Sequence, residues 1–407
     1  MRTRSRAALA VVALAVVAGS AACTSDGADR ASGTTKPPGT TTSLAPFAGP
    51  GDFYDAPDPL PEGDPGALIR YERVDRPADT TRTTWRVMYH SRDARDRDVA
   101  VTGLVAVPEA AAPPGGWTTL SWGHGTVGLA PSCAPSRGSG GIPAFGTDGI
   151  LAASDYVGLG PNGQLHAYLS GPSEGHGVID VVRAARRLPG AAASPEWSTV
   201  GISQGGHAVL FAGEEAADYA PELHLVGTVA AAPGSNLERS FPGDVPLTIN
   251  AVKAMAVYGL AVDHPEIHPE RYATDALAAL AAKMRTTCLD ALTPELAAMP
   301  PDGYWKVDPL TTDLGRRITI ENDPGRVEAA APVLLVQGDA DVVVAPARTQ
   351  ALFEGMCALG QVVQLETIPG GNHDQTTLER AQATIASWLQ ARYAGEPAPD
   401  GCPPTTG

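Results

Sequence analysis

The pattern G-x-S-x-G at residues 201–205 could expose Ser203 as a nucleophile. A serine on a sharp turn between a strand and a helix needs glycines beside it, because other backbone passes close on both sides. The residues before Ser203 are β-type, and the residues after it, GHAVLFA, begin an amphipathic helix. The pattern recurs around Ser173 without a clear strand before it, and there we expect a helix N-cap. The sequence therefore favours Ser203.

A nucleophilic serine needs an imidazole base and a carboxylate that orients the imidazole, and on such a turn they follow in the order serine, acid, histidine. His373 is the histidine that lies between the last strand pattern and the last helix pattern, so we predict it as the base. The preceding strand pattern ends in GDAD, and we prefer Asp341 to Asp339 as the acid because it lies further out on the loop. Both loops follow strand carboxyl ends, where catalytic groups collect in an open α/β sheet.

Acyl transfer also needs backbone N–H groups that bind the oxyanion. Gln204, directly after the nucleophile, is expected to supply one. The second is expected from the loop WGHGT at residues 122–126, with Thr126 preferred and Gly125 as the alternative. We interpret His124 in this loop as structural, and we expect no metal and no cofactor.

Strand and helix patterns alternate along the chain, which predicts a mostly parallel sheet with helices on both faces. A hairpin of residues 84–90 and 99–107 comes first. Strand patterns follow at 118–122, 150–156, 199–202, 223–231, 333–337 and 362–368, and helical spacing occurs at 177–187 and 378–393.

About 100 residues separate the strand pattern that ends near Ala232 from the one that begins near Pro332. A structureless loop of that length would be improbable, so we predict an inserted helical cap over about 236–328. Its apolar stretch 251–262 is too short to cross a membrane. We interpret this stretch as the part of the cap that packs on the body, in preference to the alternative of a lipid-interface surface.

The composition describes a globular, acidic chain. Its 407 residues carry a formal net charge of −16, and 43% of them are hydrophobic, which suffices for a large core. A nucleic-acid-binding protein needs a basic surface, so nucleic-acid partners are excluded.

The N-terminus differs from the rest. Three arginines precede an uncharged Ala-, Val- and Leu-rich run that ends at residue 22, which predicts a signal peptide over 1–22. The residues SAAC resemble the lipobox of bacterial lipoproteins, so we expect lipidation of Cys23, with ordinary cleavage in this Ala-rich stretch as the alternative. Residues 23–50 then form the anchor and a flexible linker rich in Thr, Ser, Gly and Pro, and 51–407 form the catalytic domain. The location is extracytoplasmic, either anchored to the cell membrane or secreted.

Five cysteines cannot all pair in an exported chain. If Cys23 is lipidated, an even set remains for two disulfides: Cys133, Cys288, Cys357 and Cys402.

Several segments, in this order, resemble the secretory lipases of the lipase A type in the α/β-hydrolase superfamily. They are DFYDAP at 52–57, PGALIR at 65–70, CAPS at 133–136 and DYVGLG at 155–160, followed by the serine turn, GDAD and NHD. The resemblance implies an α/β-hydrolase fold with a helical cap and a serine carboxylic-ester hydrolase that acts on acylglycerols or smaller esters without a cofactor. It also implies that Cys133 pairs with Cys288, and Cys357 with Cys402.

We therefore predict a monomeric esterase or lipase that uses a Ser-His-Asp triad and an acyl-enzyme intermediate, with its anchor at a membrane surface. An envelope acyltransferase or a serine peptidase would use the same triad. An anchored binding protein without turnover is the alternative from another class, and an intact set of three residues argues against it.

Overall fold

A computed structural model describes residues 44–49, 51–75, 81–161, 163–241 and 247–403. The predicted signal peptide, Cys23 and most of the linker lie outside the described residues. Within these ranges, no helix is both long enough and apolar enough to span a bilayer.

The described residues form one sheet of nine strands. The strands are β1 Leu68–Val74, β2 Arg82–Arg92, β3 Asp98–Pro108, β4 Trp117–Gly123, β5 Ile150–Ser154, β6 Ala193–Ile202, β7 His224–Ala231, β8 Val333–Gly338 and β9 Val363–Ile368. Their order across the sheet is β1-β2-β3-β5-β4-β6-β7-β8-β9. The pairs up to β3/β5 are antiparallel, and every pair from β5/β4 to β8/β9 is parallel. The prediction of a mostly parallel sheet is confirmed.

The sequence patterns missed β1 and the first half of β6. β1 is an edge strand in which only Tyr71 is buried, and its charged residues hide the alternation. In β6 the pairing with β4 shifts between Ala193 and Trp197, around Pro195, so the first residues lack a regular pattern.

Ten α-helices occur among the described residues. They are α1 Gly171–Arg187, α2 Gln204–Tyr219, α3 Leu237–Ser240, α4 Leu247–Asp263, α5 Pro269–Tyr272, α6 Asp275–Met284, α7 Leu289–Ala298, α8 Asp313–Glu321, α9 Pro346–Leu359 and α10 Gln375–Tyr393. Helices α3 to α8 lie between β7 and β8 and form the helical insertion.

The prediction that Ser173 is a helix N-cap is wrong. Helix α1 begins at Gly171 with Ser170 at the N-cap, six residues before the predicted start at 177. The Ser173 hydroxyl lies in the first turn, where it donates to Asp263 and accepts from the amide of Ala94. Both partners of the Ser173 hydroxyl are distant in the chain, so the local sequence does not reveal them.

Helices cover both faces of the sheet, as β8 shows. Alternate residues of a strand point to opposite faces. Val333 and Leu335 pack in one cluster with residues of α1, α2 and α9, while Leu334 and Val336 pack in another with α10. A strand that is buried on both faces has a continuous run of apolar residues, and for this reason the residues VLLV could be predicted as a strand.

The insertion has its own core, centred on α4. Met255, Val257 and Leu260 are fully buried and pack in one cluster with Leu129 and Tyr168 of the body. The interpretation of the apolar stretch as a surface that packs on the body is therefore confirmed.

Candidate active site

Ser203 lies between β6 and α2 in a strained backbone conformation, with φ 57° and ψ −116°. Such a conformation costs energy and persists only where the surroundings enforce it. The Ser203 N–H donates to the Ala231 carbonyl at 2.9 Å, and its own carbonyl accepts from the amides of His207 and Gly234 at 3.1 and 3.0 Å. The strand-turn-helix context predicted for this serine is present.

Two glycines allow the turn to form. A Cβ on Gly201 would lie 2.1 Å from the carbonyl oxygen of Gly205, and a Cβ on Gly205 would lie 2.0 Å from that of Gly123. Real Cβ atoms do not come this close to backbone, so both positions require glycine. Both glycines of the G-x-S-x-G pattern are therefore required in this chain, because any larger residue would collide with neighbouring backbone.

The structure brings Ser203, His373 and Asp341 together. His373 Nε2 lies 3.0 Å from Ser203 Oγ, across 170 positions of sequence, and His373 Nδ1 lies 2.8 Å from Asp341 Oδ2. Asp341 follows β8 and His373 follows β9, while Ser203 follows β6. Because these strands are parallel, the three residues meet at one edge of the sheet.

Asp341 is buried, and its second oxygen accepts from the amides of Val343 and Val344 at 2.8 Å each. Burial by itself would raise the pKa of Asp341. The hydrogen bond and charge of His373, together with the two backbone amides, outweigh burial and lower the pKa below its ordinary value. The carboxylate therefore stays ionised and able to hold the imidazole Nδ1–H.

Two neighbouring carboxylates have other partners. Asp339 accepts from the amide of Gly370 at 2.5 Å, and Asp374 is the N-cap of α10, where it accepts from Thr377 N at 2.9 Å. The His373 loop is held by Asn372 Oδ1, which accepts from the amides of His373 and Val342.

The two predicted oxyanion donors lie on segments next to the Ser203 turn. Gln204 is the first residue of α2, where an N–H has no intrahelical acceptor. The loop with Thr126 follows β4, and a Cβ on Gly125 would lie only 3.7 Å from the Ile202 carbonyl. The Thr126 hydroxyl is 2.8 Å from the hydroxyl of Tyr168.

His124 has the contacts of a structural residue. Its Nδ1 donates to the Gly125 carbonyl at 2.7 Å, and its ring lies 4.4 Å from that of Tyr156. Burial lowers its pKa and favours the neutral ring.

Sequence reasoning missed a buried polar network next to Ser203. Glu174, His166 and His207 are fully buried: the Gln204 side chain donates to His166 and Glu174, and Glu174 also accepts from His207. From the sequence, Glu174 could be predicted only as an acidic residue in the first turn of a helix. Nothing in the local sequence indicates its partners, because the network depends on how α1 packs against α2.

Both disulfides implied by the family resemblance are present, Cys133–Cys288 and Cys357–Cys402. The first joins the body to the N-cap of α7 in the insertion. Within the ranges described above, no group of three or more His, Cys, Asp or Glu is placed to hold a metal ion.

A mostly parallel sheet flanked by helices, a helical insertion and a serine on a strained strand-to-helix turn define an α/β-hydrolase. The sequence model of the secretory lipase family matches residues 148–401, more than half of the chain. The chain belongs to this family of lipase and esterase hydrolases.

The chain is also similar in sequence to a secreted lipase and in fold to two solved structures. The chain is 23% identical over 385 residues to the secreted triacylglycerol lipase LIP4 of Malassezia globosa, covering 86% of this chain and 82% of the relative. Candida antarctica lipase A superposes with a TM-score of 0.71 at 18% identity, covering 86% of this chain and 87% of its own. The rice cell wall degrading esterase LipA of Xanthomonas oryzae gives 0.68 at 19% identity, covering 82% and 100%.

Proposed function

We propose that this protein is a serine carboxylic-ester hydrolase whose catalytic residues are Ser203, His373 and Asp341. The observation that carries the proposal is the unbroken hydrogen-bonded series from Ser203 Oγ through both nitrogens of His373 to Asp341. The family and the lipase and esterase names of its relatives support an ester as the substrate. Acylglycerols or smaller esters are the proposed substrates.

The reaction proceeds through an acyl-enzyme. His373 Nε2 removes the proton of Ser203 as Oγ attacks the ester carbonyl, and Asp341 holds the imidazole in the tautomer with hydrogen on Nδ1. The N–H groups of Gln204 and Thr126 donate to the oxyanion. His373 then protonates the departing alcohol, and water, deprotonated by the same imidazole, releases the acid from Ser203.

A covalent probe tests the nucleophile directly. The protein is treated with a fluorophosphonate, the labelled residue is mapped by mass spectrometry, and hydrolysis of p-nitrophenyl esters from acetate to palmitate is measured. Ser203→Ala is expected to abolish labelling and turnover, while Ser173→Ala, at the serine of the other G-x-S-x-G match, keeps the label at Ser203. Labelling elsewhere, or substantial turnover by Ser203→Ala, contradicts the assignment.

We also propose that residues 1–22 are a signal peptide, that Cys23 carries a lipid, and that the linker holds the enzyme outside the cytoplasm at a membrane. The cysteine count supports this, because the other four cysteines are in disulfides. Intact-mass analysis and detergent partitioning of the protein from its native envelope test it. Cys23→Ala is expected to lose the acyl mass and move to the aqueous phase, and unmodified Cys23 in the wild type would refute it.

A further inference from the structure

Glu174 is the centre of the buried network beside the nucleophile turn. Its Oε1 accepts from the amide of Leu169 at 2.9 Å and from Gln204 Nε2 at 2.8 Å. Its Oε2 accepts from His207 Nδ1 at 2.8 Å. A buried carboxylate needs such donors to offset the loss of water.

The acceptors around the two histidines determine their protonation. His166 Nδ1 lies 2.8 Å from the carbonyl of Val157 and must donate, so its Nε2, 2.6 Å from Gln204 Nε2, is the acceptor. His166 is therefore neutral, in agreement with burial, which lowers its pKa to about 4.

His207 has acceptors on both sides. Its Nδ1 faces the Glu174 carboxylate and its Nε2 lies 3.0 Å from the carbonyl of Asn322, so both nitrogens carry hydrogen. Burial would lower the pKa of His207, but the bond and charge of Glu174 raise it above its ordinary value. A buried carboxylate-imidazolium pair thus lies four positions after the nucleophile, with Asp323 and Glu214 as the other charged groups nearby.

Glu174 also fixes which way the Gln204 amide points. Both hydrogens of Nε2 are used, one by His166 and one by Glu174, whereas Oε1 is buried without a partner among the described residues. If the amide turned over, its oxygen would face the oxygen of Glu174, which is repulsive. The side chain of Gln204 therefore has one stable orientation, and Glu174 enforces it.

We propose that Glu174 is a positioning residue for the acyl-transfer step, acting through the side chain of Gln204 to orient the backbone N–H that follows the nucleophile. This inference rests on the proposed function. A preorganised donor contributes in the transition state and little in the ground state, so its misplacement lowers kcat and leaves KM nearly unchanged.

The test compares Glu174→Met with Asp180→Leu, because each change replaces a buried carboxylate by an apolar side chain that cannot accept a hydrogen bond. Both positions are fully buried carboxylates on α1, but Asp180 binds Ser91, Tyr219 and Arg183, away from the nucleophile turn. Steady-state hydrolysis of p-nitrophenyl butyrate, melting temperature and inhibition by a trifluoromethyl ketone, which forms a tetrahedral adduct, are measured for each. We expect Glu174→Met to lower kcat and ketone affinity by roughly 10- to 100-fold with KM within about 2-fold, and Asp180→Leu to keep kcat within about 2-fold.

Gln204→Met keeps the backbone N–H and removes the side-chain amide, and it serves as a second variant should Glu174→Met fail to fold. Its kcat is expected to fall by a similar factor, and the double variant is expected to lose no more than either single one, because both changes remove one interaction. Additive losses, or equal kcat in Glu174→Met and Asp180→Leu, would overturn the positioning role. If the wild-type protein itself is not labelled at Ser203 and does not hydrolyse esters, the proposed function is refuted instead.

Discussion

Removing the Cys133–Cys288 disulfide should affect both stability and catalysis. Cys133 follows the loop that carries Thr126, and Cys288 is the N-cap of α7 in the insertion. Beside the disulfide, the amide of Leu289 donates to the carbonyl of Val127 at 2.9 Å. The disulfide and this hydrogen bond together join the helical insertion to the segment that follows Thr126, the proposed oxyanion donor.

The size of the stability effect follows from the length of the closed loop. The two cysteines are 155 positions apart, and closing a loop of this length lowers the entropy of the unfolded chain. This stabilises the folded state by about 5 kcal/mol at 25 °C. The Cys357–Cys402 loop of 45 positions corresponds to about 4 kcal/mol. This second bridge links the last turn of α9 to the segment after α10, away from the insertion.

Guanidinium unfolding and p-nitrophenyl ester kinetics distinguish the two roles. The double variant Cys133→Ser/Cys288→Ser is expected to lower both the unfolding free energy and kcat, because the segment after Thr126 is no longer covalently linked to the insertion. The matched pair Cys357→Ser with Cys402→Ser is expected to lower stability while kcat stays within about 2-fold. Unchanged unfolding free energy in the first pair, or equal effects of both pairs on kcat, would refute the reasoning.

Two further predictions concern backbone packing and pH. Gly205→Ala should abolish turnover, because its Cβ would lie 2.0 Å from the Gly123 carbonyl oxygen. Gly355→Ala is the control: the added Cβ has open space in α9, so this variant should preserve kcat and raise the unfolding free energy by about 1 kcal/mol. Melting curves and kcat are measured for both, and an active Gly205→Ala would contradict the packing argument. Burial lowers the pKa of His166 in the folded protein to about 4, whereas in the unfolded chain it is about 6.5. Between these pH values only the unfolded chain takes up the proton, so the unfolding free energy falls by about 3 kcal/mol as the pH falls from 6.5 to 4. Denaturant unfolding at several pH values should show a shallower acid loss for His166→Gln than for the wild type, and parallel profiles would count against it.

Much of the fold was predictable because its central strands are buried on both faces. Runs such as VLLV in β8 cannot be confused with surface segments, and their alternation with helices defines a parallel sheet. The edge strand β1 was missed since only Tyr71 is buried there, and the start of α1 was missed because Ser173 makes its contacts with residues distant in sequence.

The sequence by itself determined the order serine, acid, histidine and the strand ends that carry them. In a parallel sheet, strand direction alone brings those loops to one edge, so Ser203, Asp341 and His373 could be named before their distances were known. Only the tertiary structure decided the surroundings of Gln204. Glu174 and His207 are 33 positions apart, and they form a buried ion pair because α1 packs against α2. That pairing depends on helix packing in three dimensions, and no local spacing or residue pattern encodes it.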